Sequence, residues 1–250
     1  MAKPIHTIID GDSICYAAAY SESEEDMMAH IDKAMCAIIS DTKASRYTVF
    51  IEEYRKPKAI FRYKLHVLSS EVTTHAGYKG NRRCKIKPDF LHEAKHYMTS
   101  RWNAKVAYEY ESEDECLILA KSERVEDKRQ VIIAAIDKDL KMHPGVYYCY
   151  RKGTHETVSP EQGQLTLWRQ VCTGDSTDNV PGVRGIGKAK AEKLVTSHEM
   201  GLAQAVKAYK DAKLSYEYFI EQYNLLYIRD ERSTEILYPL SREAWDESDR

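Results

Sequence analysis

Two chemical features meet within residues 173–195, whose sequence is TGDSTDNVPGVRGIGKAKAEKLV. Asp175 and Asp178 stand three residues apart, so on a helical turn their carboxylates would share one face. Like charges this close repel, and a divalent cation is the usual reason for keeping both ionised. The glycine-rich turn that follows, residues 182–187, opens a lysine-rich helix whose backbone N–H groups and lysines could contact phosphates. Together these features predict metal-assisted cleavage of nucleic acid.

Each half of this pattern also has a plainer explanation. An Asp-x-x-Asp pair alone is more often a solvated turn or a helix cap. The spacing from Gly182 to Lys188 matches the phosphate loop GxxxxGK, but Ala189 stands where a Ser or Thr hydroxyl would bind magnesium. A turn rather than a buried strand precedes it, and GxGxxG fails because Lys190 occupies the third glycine position. A hairpin that contacts a nucleic-acid backbone fits better than a nucleotide pocket.

Composition limits the class of protein. With 250 residues, of which 43% are hydrophobic and 30% charged, the chain can form one large α/β domain or a core with a lobe. The net charge of −2 does not itself indicate nucleic-acid binding, but cations concentrate at residues 79–87 and 184–193. Either cluster alone could be a solvated helix face. No apolar run is long enough to span a membrane and the six cysteines are scattered singly, so we expect a cytoplasmic protein with reduced thiols.

Carboxylates follow each of the first four predicted strands. These strands are expected at residues 5–9, 46–51, 104–110 and 131–136, with a weaker fifth at 146–150 and mainly helices from Pro160 onward. In a parallel α/β sheet, ligands bind outside the carboxyl ends of the strands, where these acids would meet. So much negative charge would strain the fold without cations, and all-oxygen ligands favour magnesium or manganese over zinc. The predicted ligands are Asp10, Glu52 (with Glu53 as the alternative), Glu111, Glu113, Asp114, Asp137, Asp139, Asp175 and Asp178.

In combination these motifs resemble the 5′→3′ exonuclease and flap endonuclease family, which includes the nuclease domain of bacterial DNA polymerase I and the stand-alone exonucleases of bacteriophages. The resemblance extends from about residue 8 to residue 195. The matching strings are IDGD at residues 9–12, YKGNR at 78–82, ESED at 111–114 with Glu113 in place of the usual Asp, DKD at 137–139, and GDSTDNVPGVRGIG from Gly174.

The resemblance implies an α/β fold with a mainly parallel central sheet flanked by helices, a PIN-like nuclease core. It also implies a helical arch at about residues 62–100 and a C-terminal helix-hairpin-helix-type region with a helix-3-turn-helix motif. We therefore expect residues 1–158 to form the core with its arch. Residues 159–250 would form a helical region, with the DNA-binding hairpin at about 173–195, packed on the core as one structural unit. Residues 216–227 are predicted to form a covering helix rather than an aromatic surface for DNA.

The implied activity is metal-dependent, structure-specific hydrolysis of DNA phosphodiesters, as a 5′→3′ exonuclease or 5′-flap endonuclease in replication or repair. Two Mg²⁺ ions would clamp the phosphate, with Mn²⁺ as a substitute and K⁺ as a candidate at the hairpin. Asp10, Glu52, Glu111, Glu113 and Asp114 would mostly hold the first ion. Asp139, Asp175 and Asp178 would mostly hold the second, with Asp137 between them.

Cationic and glycine residues complete the predicted site. Lys79 and Arg82 would neutralise the scissile phosphate, so that the catalytic set is Asp10, Lys79, Arg82 and Asp139. The predicted DNA contacts are Arg62, Tyr78, Lys79, Arg82, Arg83, Gly182, Arg184, Gly185, Gly187, Lys188 and Lys190.

The expected partner is duplex DNA with a 5′ end, nick, gap or flap, with an RNA primer in an RNA–DNA hybrid as a further candidate, bound by a monomer in a bacterial or phage-infected cell. Two other classes of protein remain as alternatives. A catalytically inactive DNA-binding module is disfavoured because a pure binder gains nothing from acids that repel phosphate. A PIN-type ribonuclease is disfavoured because such small enzymes generally lack the hairpin.

Overall fold

The computed structural model describes residues 4–53, 62, 77–82, 86–126 and 130–248. The chain forms two compact units, each built from separate stretches of sequence. Among the described residues, this division differs from the predicted one in two places: residues 62 and 77–82 group with the second unit, and Ile228–Ser233, here named the return segment, groups with the first. The first unit comprises Met1–Ile60, Ile86–Val158 and Ile228–Ser233; the second comprises Phe61–Lys85, Ser159–Tyr227 and Thr234–Arg250.

A six-stranded sheet forms the centre of the first unit. Its strands are β1 (Ile5–Asp10), β2 (Arg46–Glu52), β3 (Lys105–Ala107), β4 (Gln130–Ala134), β5 (Gly145–Cys149) and β6 (Thr154–Val158). They lie in the order β3-β2-β1-β4-β5-β6, with all neighbours parallel except β5 and β6. The predicted α/β fold with a mainly parallel sheet is confirmed. The sequence did not predict β6, an exposed edge strand without an apolar run.

The central strands β1 and β4 are almost continuously buried, as expected for a parallel sheet with both faces covered. The pairing of β1 with β2 ends with Asp10 opposite Phe50. The pairing of β1 with β4 ends with Ile9 opposite Ala134. Asp10 therefore closes β1 at the edge where the carboxyl ends of β2 and β4 also lie.

Two strands end earlier than the sequence indicates. The third predicted strand is reduced to Lys105–Ala107, and β4 ends at Ala134 rather than at residue 136. Glu111 and Asp137 consequently lie in the loops beyond the strands and not at the strand ends themselves.

Helices α1 (Asp12–Ala18), α2 (Glu24–Asp41) and α3 (Leu91–Trp102) pack on one another in the first unit, whereas α4 (Ser112–Glu126) contacts β1, β2 and β4. Met27, Met98 and Ile9 belong to the buried core that these elements share. Residues 91–100, which were predicted to belong to the arch, are thus part of a core helix. Most of the remaining predicted arch lies outside the described residues.

The second unit is helical, as predicted. In its described residues the α-helices are α5 (Pro160–Thr173), α6 (Lys188–Leu194), α7 (Gly201–Asp211), α8 (Tyr216–Leu226) and α9 (Arg242–Glu247). Every residue of α8 except Glu217 is buried, and the ring of Phe219 contacts those of Tyr209 and Trp245. This confirms a covering helix rather than an exposed aromatic surface. None of the described helices combines the length and apolarity needed to cross a bilayer.

Candidate active site

Asp10 holds a buried carboxylate at the end of β1. The residue is 5% exposed, and its Oδ1 accepts a 2.8 Å hydrogen bond from the Ser112 hydroxyl at the start of α4. Burial, followed by the negative charge of Asp12, raises the pKa of Asp10 to about 6, with a further contribution from Asp137. The hydrogen bond from Ser112 opposes this rise in the pKa. An excess of negative charge around a buried carboxylate is an environment that favours a bound cation.

Gly11 allows the chain to turn sharply against β2. Its N–H donates to the carbonyl oxygen of Phe50 at 2.8 Å. A Cβ at this position would lie only 2.6 Å from Cγ1 of Val49 and 3.1 Å from the same carbonyl oxygen. The glycine of the IDGD motif is therefore required by a close approach of two backbones, which sets Asp10 and Asp12 beside β2.

Asp12 and Lys95 anchor the end of β2. The Asp12 Oδ1 accepts from Lys95 Nζ at 2.7 Å and from the backbone N–H of Glu52 at 2.9 Å. Lys95, which is nearly buried, also donates to the Glu52 carbonyl oxygen at 2.9 Å. Both backbone polar groups of Glu52 are thus bonded, which holds this residue at the carboxyl edge. Glu53 remains the alternative ligand, and its Oε2 is buried with no hydrogen bond to the described residues.

The start of α4 carries the ESED acids. Glu111 and Asp114 are fully enclosed, and Glu113 is half-buried. The Asp114 Oδ2 accepts from the backbone N–H of Glu111 at 3.0 Å, and its Oδ1 accepts from the backbone N–H of Arg229 at 2.7 Å. Carboxylates in the first turn of a helix are favoured by the helix dipole. Both oxygens of Asp114 are engaged by backbone groups, a structural role that the sequence did not predict.

The DKD motif follows β4. Asp137 is exposed, and its Oδ1 accepts from the backbone N–H of Asp139 at 2.8 Å. Asp139 begins the 3₁₀ turn Asp139–Met142, and its side chain is 13% exposed. Because the charge of Asp137 contributes to the raised pKa of Asp10, the two motifs share one electrostatic environment.

The donor atoms of these acids are of the type that binds a hard divalent cation such as Mg²⁺. The acids offer only oxygen donors, one buried Glu53 oxygen has no hydrogen bond to the described residues, and the buried Asp10 has a raised pKa. Within the described ranges, however, no three His, Cys, Asp or Glu side chains stand close enough together to hold one ion. The two predicted ligand sets therefore stay predictions, as does the joining of Asp175 and Asp178 in the second unit to the acids of the first.

In the second unit, the YKGNR motif contacts the second acid of the Asp-x-x-Asp pair. The Tyr78 hydroxyl donates to Asp178 Oδ2 at 3.0 Å, and Lys79 Nζ lies 3.7 Å from the same oxygen. The guanidinium of Arg82 donates to Asp178 Oδ1, and the backbone N–H of Lys79 donates to the Asp178 carbonyl oxygen at 2.7 Å. The two cations predicted for phosphate binding and the predicted ligand Asp178 are therefore neighbours.

The loop around Asp175 is held by its own hydrogen bonds. Asp175 and Val180 exchange two backbone hydrogen bonds of 2.7 and 2.8 Å, and Asp175 Oδ1 accepts from the backbone N–H of Thr177 at 2.7 Å. The side chain of Asn81 donates to the carbonyl oxygen of Ser176 at 2.8 Å. The spacing of Asp175 and Asp178 thus reflects a turn and not the shared helical face that it suggested.

The hairpin depends on two glycines that face each other. Gly174 and Gly182 have φ of +69° and +61°, and a Cβ on Gly182 would lie 2.3 Å from the backbone N of Gly174. The N–H of Gly182 donates to Gln222 Oε1 at 2.9 Å, and its carbonyl oxygen accepts from the Tyr218 hydroxyl at 3.0 Å. Both partners lie on α8, so this buried helix anchors the hairpin.

The predicted DNA contacts separate by exposure. Arg62 is 1% exposed and donates to the Tyr227 carbonyl oxygen at 2.8 Å, and both Tyr78 and Gly182 are also buried. These three residues are not accessible to DNA as they stand. Arg83 lies outside the described residues. The exposed members at the hairpin are Arg184, Gly185, Gly187, Lys188 and Lys190.

Comparisons with solved structures identify the architecture. The bacteriophage T5 D15 protein co-crystallised with metal ions superposes with a TM-score of 0.67 at 14% sequence identity, covering 89% of this chain and 88% of that chain. The T5 D15 flap endonuclease in a pseudo-enzyme–product complex with DNA and metal ions gives 0.65 and 14%, with 89% and 88% coverage. The chain has the fold of the T5 5′-exonuclease.

A less similar solved structure also matches the chain. The catalytic core of Rad2 in complex with a DNA substrate has a TM-score of 0.50 at 11% identity and covers 84% of this chain and 66% of that one. No protein-family model and no curated protein sequence matches the chain. The predicted resemblance is therefore confirmed at the level of architecture.

Several residues that stabilise the carboxyl edge of the sheet were not predicted from the sequence. Ser112, Asp12 and Lys95 contact predicted ligands directly. The signals for the first two were the serine within ESED and the second acid of IDGD. Lys95 and the return segment carry no motif, and only the folded chain reveals them.

Proposed function

We propose that this chain is a divalent-metal-dependent nuclease that cleaves DNA at 5′ ends and 5′ flaps. The observation that carries the proposal is the buried Asp10 at the carboxyl edge of the sheet, with its pKa raised to about 6 and with Asp12 and Asp137 as charged neighbours. A carboxylate kept in such surroundings suits a site completed by cations. The fold shared with metal-bound and DNA-bound nucleases supports the same conclusion.

Asp10, Glu52, Glu111, Glu113, Asp137 and Asp139 would hold the metal in the first unit, partly through water. Asp175 and Asp178 are the predicted ligands of the second unit. Mg²⁺ is the proposed ion, with Mn²⁺ as a substitute and K⁺ at the hairpin. When bound, such ions activate a water molecule and stabilise charge on the phosphate. Asp114 is the predicted ligand least suited to direct binding, since both of its oxygens already accept backbone hydrogen bonds.

The cations of the second unit would position DNA. Lys79 and Arg82 stand together at Asp178, and a phosphate approaching this position would compete with the carboxylate for them. The exposed hairpin would contact the DNA backbone and so set position with little sequence preference. An exposed guanidinium and lysines on one short hairpin suit a phosphate chain.

The test is cleavage of 5′-labelled nicked, gapped and flapped duplexes with Mg²⁺ and with chelator, resolved by product length. We expect cleavage only with Mg²⁺. Asp139→Asn should lower turnover by at least about 100-fold, the scale of losing one strong electrostatic contact in an active site, and should leave duplex binding in chelator intact. Glu25→Gln, which removes an exposed carboxylate of α2, is the control and should cleave normally.

Each alternative has its own outcome in this experiment. Duplex binding without cleavage in any metal would indicate the inactive DNA-binding module. Faster cleavage of RNA than of DNA of the same sequence would indicate the ribonuclease. Normal turnover by Asp139→Asn would remove this residue from the mechanism.

A further inference from the structure

The return segment, Ile228–Ser233, brings the chain back to the first unit long after it leaves at Val158. The segment forms neither helix nor strand, yet Ile228 and Arg229 are almost completely buried. Irregular backbone is normally on the surface because its polar groups need partners. The partners of this segment therefore indicate what it does.

One group of contacts joins the return segment to the first turn of α4. The backbone N–H of Arg229 donates to Asp114 Oδ1 at 2.7 Å, while Asp114 Oδ2 accepts from the N–H of Glu111 at 3.0 Å. The carboxylate of Asp114 is thus a bridge between the return segment and the backbone of a predicted ligand. Since Asp114 is fully buried, losing either contact would leave a polar group without water to replace it.

A second group of contacts brackets the same turn. Arg232 donates two hydrogen bonds to the Glu115 carboxylate, at 3.1 and 2.7 Å, and its guanidinium lies 5.5 Å from the centre of the Tyr110 ring. Tyr110 directly precedes Glu111, and Glu115 is one helical turn beyond it. A planar guanidinium that makes two parallel hydrogen bonds defines orientation as well as attraction.

A third group of contacts joins the return segment to the turn that begins with Asp139. The carbonyl oxygen of Ile228 accepts from His143 Nε2 at 2.7 Å, and its N–H donates to Met142 Sδ at 3.3 Å. Met142 ends the 3₁₀ turn that Asp139 begins. One irregular segment therefore contacts both elements that carry the acids beyond β3 and β4.

We propose that the return segment positions the metal ligands of the first unit, with Asp114, Glu115 and Arg232 as positioning residues that hold Glu111 and Glu113 in place relative to Asp139. This inference rests on the proposed nuclease function. Residues that orient metal ligands typically change metal affinity by about 10- to 100-fold when they are lost.

Charge reversal at the Arg232–Glu115 pair tests the proposal. Arg232→Glu and Glu115→Arg should each weaken Mg²⁺ and Mn²⁺ binding about tenfold, measured by calorimetric titration of chelator-treated protein. The double variant, which restores the pair with exchanged charges, should return to within about twofold of wild type. A purely electrostatic role would instead make Arg232→Glu bind the cations more tightly, because it adds negative charge.

A measurement without metal tests whether the return segment positions the ligand residues, independently of metal binding. In chelator, amide hydrogen exchange at Glu111 and Arg229 should be faster in each single variant and normal in the double variant. Arg242→Glu breaks an exposed Arg–Glu pair in the second unit, remote in sequence from the predicted ligands, and is the control for both measurements. Arg232→Gln removes the pair without reversing charge, and it replaces the charge-reversed variants if they do not fold.

Metal binding and cleavage by the wild-type protein separate the positioning role of the return segment from the proposed nuclease function. If wild-type protein binds the metals and cleaves flapped DNA, and the single variants bind the metals equally well, the return segment has no positioning role. If wild-type protein neither binds the metals nor cleaves DNA, the proposed function itself is wrong.

Discussion

Individual carboxylates in this protein are stabilised in two different ways. Asp178 has Lys79 and Arg82 beside it, so its charge is balanced by the protein's own cations. Asp10 is buried next to acids, and it accepts hydrogen bonds from two neutral groups, the Ser112 hydroxyl and the backbone N–H of Asp12. The first arrangement is stable as it stands. The second costs stability whenever Asp10 is ionised, unless a cation is bound.

Asp10→Asn should therefore stabilise the metal-free protein at neutral pH. The folded-state pKa of Asp10 is raised from 3.8 to about 6, so stability that is fully present below about pH 4 is lost as the pH rises through 6. The asparagine variant does not titrate. Its advantage in the free energy of unfolding should grow from below about 1 kcal/mol at about pH 4 to about 3 kcal/mol at about pH 7.5, as measured by urea unfolding in chelator.

Added Mg²⁺ should reverse this order, because it stabilises only a protein that can bind it. Wild type should gain stability with Mg²⁺ while Asp10→Asn gains little, and Glu25→Gln should behave as wild type throughout. A difference between wild type and Asp10→Asn that stays constant from about pH 4 to about pH 7.5 would contradict the raised pKa.

At the scale of elements, the sequence predicts the helices and strands whose residue pattern repeats or lies within a short stretch of chain. The sequence predicts β1, β4 and the helices after Pro160 because many neighbouring residues contribute to each pattern of apolar and polar positions. The return segment has no such periodicity, and its contact from Arg229 to Asp114 joins residues 115 positions apart. The edge strand β6 has no buried face along most of its length, so its sequence lacks the pattern of a strand.

The ligand set stays a prediction, and the sequence pattern behind it has a definite limit. A carboxylate after a strand predicts which acids approach the sheet edge, and Asp10 and Glu52 lie there. The pattern cannot distinguish an acid that faces solvent from one that binds the backbone, such as Asp114. The predicted DNA contact of Arg62 has the same limit. Its sequence neighbours are basic, as at an exposed site, but in the fold Arg62 is buried.

Two glycines of the hairpin element provide a matched test of its construction. Gly182→Ala should destabilise the protein by more than about 2 kcal/mol, since a Cβ would lie 2.3 Å from the backbone of Gly174 and φ is +61°. Gly185→Ala should cost only about 1 kcal/mol, because φ is +81° but no atom lies within 4 Å of the new Cβ. Thermal or urea unfolding measures both, and equal losses would show that crowding at Gly174 is not what requires glycine at residue 182.

At the scale of the whole molecule, acids and cations are distributed so that the net charge is only −2. The proposed binding of nucleic acid would therefore depend on local positive surfaces rather than on total charge. The exposed cations Arg184, Lys188 and Lys190 form such a surface at the hairpin.

Lys188→Ala should consequently weaken binding to duplex DNA and reduce the slope of log affinity against log salt by about 0.9, the loss of one phosphate contact. Lys207→Ala removes an exposed lysine of α7 that pairs with Asp211, and it should leave the slope unchanged. Fluorescence anisotropy in chelator, from low to moderate salt, measures both variants. Equal slopes for Lys188→Ala and wild type would argue against the hairpin as a DNA contact.

The late position of Ile228–Ser233 also matters for biosynthesis. Domains tend to fold from the N-terminus while translation continues, but here the partners of Asp114 and Glu115 follow all of the predicted acidic ligands in the chain. A nascent polypeptide that already contains every one of those ligands still lacks the contacts from the return segment to the first turn of α4 and to the turn that begins with Asp139. If the return segment positions the ligands as proposed, this part of the acidic edge would be completed only after the hairpin has been synthesised.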